Sequence, residues 1–193
     1  IRADFPGLDA GNSAMIRLAM AQEELQCLDF EPPGRLWLRL GGLSAAVDGR
    51  VDRVRNLLQQ VDAGVKNEVL SGTEDAQAWN DAREFRWVPV NHQLIKLPVS
   101  SAQVVIAEQL LAEASFESVR RYSVGVTLLW LAVLETVGGD EVDRSCQQLG
   151  RPALALAGSW SDPQRGLRHG QAFAERLLTV FDPDSRFEMT TTA

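Results

Sequence analysis

The residues of widest chemical range in this sequence are two histidines, His92 and His169, and two cysteines, Cys27 and Cys146, the only ones among 193 residues. They stand far apart and form no C-x-x-C spacing, so a zinc site has almost no donor set to draw on. The thiols read as two separate buried groups in a reducing compartment, with a disulfide between them left open. No G-x-S-x-G elbow is present, and a Ser-His-Asp triad cannot be assigned from two scattered histidines. Asp182 and Asp184 are close carboxylates, but the Pro183 between them makes a post-helix turn a better reading than acid–base work. Gly41-Gly42 falls between a strand and a helix, yet neither G-x-G-x-x-G nor G-x-x-x-x-G-K-[ST] accompanies it, so a phosphate loop is rejected.

Charge and length narrow the classes further. The net charge of -7 and pI near 4.9 argue against a nucleic-acid footprint and against an anionic membrane surface. No apolar run approaches the ~20 residues needed to span a bilayer, and the longest, Leu128 to Leu134, is strand length. At 45% hydrophobic and 23% charged residues the composition is that of an ordinary globular domain. A chain of this size buries roughly 70% of its unfolded surface and needs no covalent staples. It opens at Ile1 with no initiator Met and no signal peptide. A fragment of a longer protein is the favoured reading, over a processed chain or a trimmed start.

The elements that would position any site follow from periodicity. Residues 1–23 read as a loop and a short helix, Ala14 to Gln22, capped by Asn12 or Ser13. Glu24 to Phe30 and Arg35 to Leu40 form a hairpin across Glu31-Pro32-Pro33-Gly34; in the second strand Leu36, Leu38 and Leu40 oppose Arg35, Trp37 and Arg39. Ser44 caps a helix through Val61, with Val47, Val51, Val54, Leu58 and Val61 at spacings of three and four. Asp75 to Phe85 is a second amphipathic helix in which Trp79 reads as core. Gln93 to Val99 is a strand, Ala102 to Ala114 a helix, and Glu117 to Tyr122 with Val126 to Leu134 an antiparallel pair. Glu141 to Leu149 is a helix ended by Gly150, and Ala153 to Ala157 a strand. An amphipathic helix from about Gly166 to Val180 closes the chain, with Phe173, Leu177, Leu178 and Phe181 near one face, docked on the sheet. Pro183 stops it. The order β-β-α-(α)-β-α-β-β-α-β-α predicts an α+β fold: a mostly antiparallel sheet with helices on one face, built from ferredoxin-like units. Residues 24–193 would form that single domain. No internal repeat or strong linker is visible, although a strand–helix–strand pattern recurs loosely across 35–99 and 93–134.

A resemblance accompanies these elements. The stretch Ala174 to Phe187, AERLLTVFDPDSRF, is similar to the closing signature of FAD-linked oxidases of the vanillyl-alcohol oxidase type. That family often ends in a helix with Lys or Arg, then Phe/Leu-Asp-Pro-x-Gly-Arg-Phe and Asn-Pro-Gly. Here Ser185 stands where Gly is usual, and Glu188-Met189 where Asn-Pro-Gly follows. Arg35 to Val47, RLWLRLGGLSAAV, resembles the strand-to-helix segment of the FAD-binding-type subunit of bacterial glycolate oxidase. Ala78-Trp79, Leu94 to Ser100 and Leu128 to Ala132 fit the same template in order and spacing. Such subunits pair an N-terminal FAD-binding domain with a C-terminal cap, or substrate, domain, and this chain resembles the cap alone, with residues 1–23 as the connection.

The resemblance implies a flavin-dependent oxidoreductase acting on a small 2-hydroxy acid such as glycolate. FAD would be held by the FAD-binding domain of the same chain, and other oxidase subunits would be partners. The location implied is the cytoplasm, or the inner membrane surface through those subunits. The flavin carries the redox chemistry, so the cap would be inactive by itself. A 2-hydroxy acid needs a cation for its carboxylate. The candidates are Lys96, Arg39, Arg120 and Arg121, with Tyr122 and Trp130 shaping the wall. His92 and His169 match none of the histidine motifs that catalytic subunits of the family carry in the cap, which makes an accessory subunit plausible. The competing hypothesis is a stand-alone ferredoxin-like binding or assembly module. The first predicts an exposed apolar face; the second predicts every large apolar surface buried within the chain or a symmetric dimer.

Overall fold

A computed structural model describes residues 1–168, 170–184 and 186. His169, Ser185 and the stretch 187–193, including Phe187 and Glu188-Met189, lie outside the described residues. The chain forms two consecutive βαββαβ units that share one sheet. The first comprises strand β1 (Arg2–Asp4), helix α1 (Leu8–Met20), strands β2 (Leu25–Glu31) and β3 (Arg35–Leu40), helix α2 (Ser44–Val61) and strand β4 (Lys66–Glu68). Helix α3 (Gly72–Arg83) and the segment 84–91 lead to the second. That unit comprises β5 (His92–Pro98), α4 (Val104–Ala112, preceded by a 3-10 turn at Ser101–Gln103), β6 (Ser118–Ser123), β7 (Leu128–Leu134), α5 (Gly139–Gln148) and β8 (Pro152–Ala157). Strand β9 (Gln164–Gly166) extends the sheet edge and α6 (Gln171–Phe181) follows.

Every described strand pairing is antiparallel, and the sheet order is β4-β1-β3-β2-β6-β7-β5-β8-β9. The first four strands give the ferredoxin-like order, and the next four give the same order reversed. The α+β architecture expected from the element order is the one found. The repeat, however, runs over 2–68 and 92–157 rather than the loosely similar 35–99 and 93–134. It escaped the sequence because β1 and β4 are three-residue strands, Arg-Ala-Asp and Lys-Asn-Glu, with no periodicity to detect. Residues 1–7, read as loop, therefore include a strand that pairs with both β3 and β4.

The two units meet through β2 and β6, in register at one residue pair, Phe30 and Tyr122, both fully buried with ring centroids 6.0 Å apart. Helices α1, α2, α4 and α5 cover one face. Their apolar lines (Met15 and Leu18, Val54 and Leu58, Val104 and Leu111, Val142 and Cys146) join Leu36, Leu38, Ile95, Leu97, Leu129 and Leu131 in one core. Helix α1 starts at Leu8, six residues before the expected Ala14, because Gly11 and Asn12 are pressed into this core. A Cβ at Gly11 would stand 2.7 Å from the Phe30 ring. Close approach of α1 to β2 thus overrides the weak helix propensity of both residues. Arg50, buried on α2, donates to the carbonyls of Glu23, Glu24 and Gly41, tying the helix to both ends of the β2–β3 hairpin.

Helix α3 and residues 84–91 turn to the other face, where α3 is held by an ion pair from Arg39 Nη2 to Asp75 Oδ2, 2.8 Å. No other described element covers that face. Its first half is charged, with Arg2–Glu68 and Asp4–Arg35 paired across strands. Its second half is apolar, with Val119, Leu134, Leu154 and Leu156 each 37–47% exposed. Helix α6 differs from the expected docked helix. None of its described side chains is buried, and Phe173, Val180 and Phe181 are 66–77% exposed. No helix among the described residues is long and apolar enough to cross a membrane.

Candidate functional site

A cleft of about 580 Å³ opens on the uncovered face, over the junction of the two units. Strand alternation selects its floor. In β2 the core side takes Leu28 and Phe30, so Cys27 and Asp29 face the cleft. In β3 the core takes Leu36 and Leu38, leaving Arg39 outside; in β6 it takes Tyr122, leaving Arg121 and Ser123; in β7 it takes Leu129 and Leu131, leaving Trp130. The wall comes from α3 (Ala76, Trp79 and Arg83 among others) and from Phe85 and Trp87 beyond it. Phe85 packs edge-on against Trp130 at 4.9 Å and lies 6.3 Å from Trp87.

Arg121 is nearly buried. Its Nε donates to Asp29 Oδ2 at 2.9 Å and its Nη1 to Glu31 Oε1 at 2.6 Å. Burial nonetheless holds the Asp29 carboxyl above its ordinary value, against the pull of Arg121. Burial, with Asp29 adding to it, also raises the Cys27 thiol, so Cys27 is a poor nucleophile at neutral pH. Cys146 sits in the core with its thiol pushed up to about 12 by burial, and both cysteines are free.

The candidate residues separate by face. Lys96, Arg121 and Trp130 are cross-strand neighbours on the open face, in register Arg121–Trp130–Lys96. Lys96 Nζ stands over Trp130, 5.7 Å from the ring centroid, and has no ion-pair partner among the described residues. Arg39 faces the same cleft with only Nη2 engaged, and its side chain is 37% exposed. Arg120 and Tyr122 alternate to the helix-covered side and do not reach the wall. Tyr122 donates its hydroxyl to Glu108 Oε1 on α4 at 2.7 Å, and Arg120 Nε lies 3.2 Å from Glu108 Oε2. Burial raises Glu108 and Tyr122 alike. His92 stands at the start of β5 with Nδ1 3.1 Å from its neighbour Val90's carbonyl oxygen, away from the cleft.

Asp29, Ser123 and Trp87 also line the cleft, although the sequence did not single them out. The alternation of β2 would have placed Asp29 opposite Leu28 and Phe30, but nothing local shows that α3 folds over that side. Trp79, read as core, is instead a half-buried wall residue.

The cleft therefore combines aromatic side chains with paired cations and carboxylates. At the Gly41-Gly42 turn the Gly41 carbonyl accepts a hydrogen bond from Arg50. No protein-family model matches this chain, and a search of curated proteins finds no match either.

Proposed function

We propose that this chain is the cap domain of a flavin-dependent oxidoreductase subunit acting on a 2-hydroxy acid, with FAD held by a separate FAD-binding domain. The supporting observation is the one-sidedness of the sheet. Four helices bury one face, while the other carries an aromatic cleft beside an apolar strip that nothing among the described residues covers. Such a surface suits a wall laid over a second domain, and the exposed apolar side of α6 adds to it. The resemblance at Arg35 to Val47 and Ala174 to Phe187 supplies the chemistry.

When bound, FAD would supply the redox chemistry of the oxidation. The residues of this chain would orient and enclose the substrate. Arg39 holds the carboxylate with the guanidinium donors that Asp75 leaves free, Trp130 and Phe85 exclude water, and the Arg121–Asp29–Glu31 cluster keeps the floor rigid. Lys96 is the second cation within reach of the same face. With His92 outside the cleft, an accessory role within an oxidase assembly at the cytoplasmic side of the inner membrane fits this reading.

The test is the visible spectrum of the purified product of the complete native gene. Bound flavin, with absorption near that of free FAD, is the expected result. A colourless product would sink the reading and leave a ferredoxin-like binding or assembly module.

A further inference from the structure

The size and lining of the cleft point to a particular class of acid. Its volume of about 580 Å³ lies in the range of roughly 300–1,000 Å³ usual for sites that take ring-sized ligands. A two-carbon acid would leave most of it to water. The lining is aromatic on three sides: Trp79 from α3, Phe85 from the segment after it, and Trp130 from the floor. Phe85 and Trp130 meet edge to face, an aromatic cluster to which a further ring can add by an offset or edge-on contact. Of the two arginines on the floor, Arg39 is the one that can still accept a ligand. It spends Nη2 on Asp75 and is more than a third exposed, whereas Arg121 spends two nitrogens on Asp29 and Glu31 and is nearly buried.

We infer that the cleft binds a carboxylate carrying an aromatic ring, the carboxylate on Arg39 and the ring among Trp79, Phe85 and Trp130. As a statement about substrate it rests on the flavoenzyme reading above and narrows it to aryl-substituted 2-hydroxy acids. As a statement about binding it concerns this chain alone.

The experiment is a titration of the 193-residue chain, without flavin, followed by tryptophan fluorescence and calorimetry. The probes are 3-phenyllactate and glycolate. Saturable binding of 3-phenyllactate is expected, with glycolate weaker by about tenfold or more, the loss of one stacked ring. Arg39→Met should weaken 3-phenyllactate by about tenfold or more, the worth of a charge-assisted hydrogen bond. That variant also breaks the ion pair that holds α3, so Asp75→Asn is the control. It breaks the same pair but keeps the cation, and should bind 3-phenyllactate as well as the parent or better. Equal affinity for both acids, no saturable binding of 3-phenyllactate, or equal losses in the Arg39 and Asp75 variants would each overturn the inference. Flavin in the native product with no binding of 3-phenyllactate defeats this inference alone. Binding of 3-phenyllactate with a colourless native product defeats the flavoenzyme reading alone.

Discussion

Arg120 and Arg121 are chain neighbours with opposite surroundings. Arg121 points to the open face and neutralises Asp29 and Glu31 from β2; Arg120 points to the helices and meets Glu108 of α4. Period-two alternation tells a reader that the two diverge. It does not say which goes inward, because both partners lie on distant elements. The Glu108 site carries a consequence for pH. Burial raises this carboxyl above its ordinary 4.5 despite Arg120, so the native state holds the proton more tightly than the unfolded chain does. Glu108 therefore contributes most below pH 4.5, and its contribution is lost as pH rises through the raised native value. A Glu108→Gln variant keeps an acceptor for the Tyr122 hydroxyl and removes the titration. Its urea stability relative to the parent should increase as pH rises from 4.5 toward neutrality. A difference that stays flat or falls would show that Arg120 keeps Glu108 ionised.

Among the elements, the long ones were legible and the short ones were not. Helix α2 ends at Val61 as its apolar spacing predicts, although Leu43 rather than Ser44 takes the position before its first turn, and β5 and β7 lie within a residue or two of the predicted strands. The three-residue strands are too short to show a period, whatever contacts their side chains make. The start of α1 was hidden as well, since its first turn is set by what it must touch. Gly11→Ala places a methyl 2.7 Å from the Phe30 ring and 3.1 Å from the Gly34 Cα. Helix propensity alone would make this change stabilising by about 1 kcal/mol. The clash should reverse the sign and cost about 1–3 kcal/mol, read from the midpoint of urea unfolding at unchanged slope. A gain in stability would mean that α1 rides higher on β2 than described. The candidate site was half legible for the same reason: its floor follows from alternation, but its wall depends on α3 crossing to the far face, which the amphipathic pattern of α3 does not encode.

For the molecule as a whole, the β2–β6 contact decides whether two units behave as one. They share a single in-register pair, with the Phe30 and Tyr122 rings in contact at the centre. Phe30→Ala should cost about 3–5 kcal/mol and loosen the coupling between the halves. Unfolding curves followed by circular dichroism and by tryptophan fluorescence, expected to coincide in the parent, should then separate. Coincident curves with an unshifted midpoint would place the coupling elsewhere, in α1 against α4. The doubling itself was hidden because the halves differ most on the face that shows: ion pairs on one, leucines and valines on the other. That divergence bears on stereochemistry. A cleft over the seam between two identical halves would offer each contact twice, and a small ligand could enter either way round. Here Arg39 and Trp130 stand on strands that correspond between the units, one offering charge and the other a ring. A ligand with an acid at one end and an apolar group at the other then has a single orientation along the cleft, and one further contact at its hydroxyl-bearing carbon is what it takes to tell one mirror image from the other.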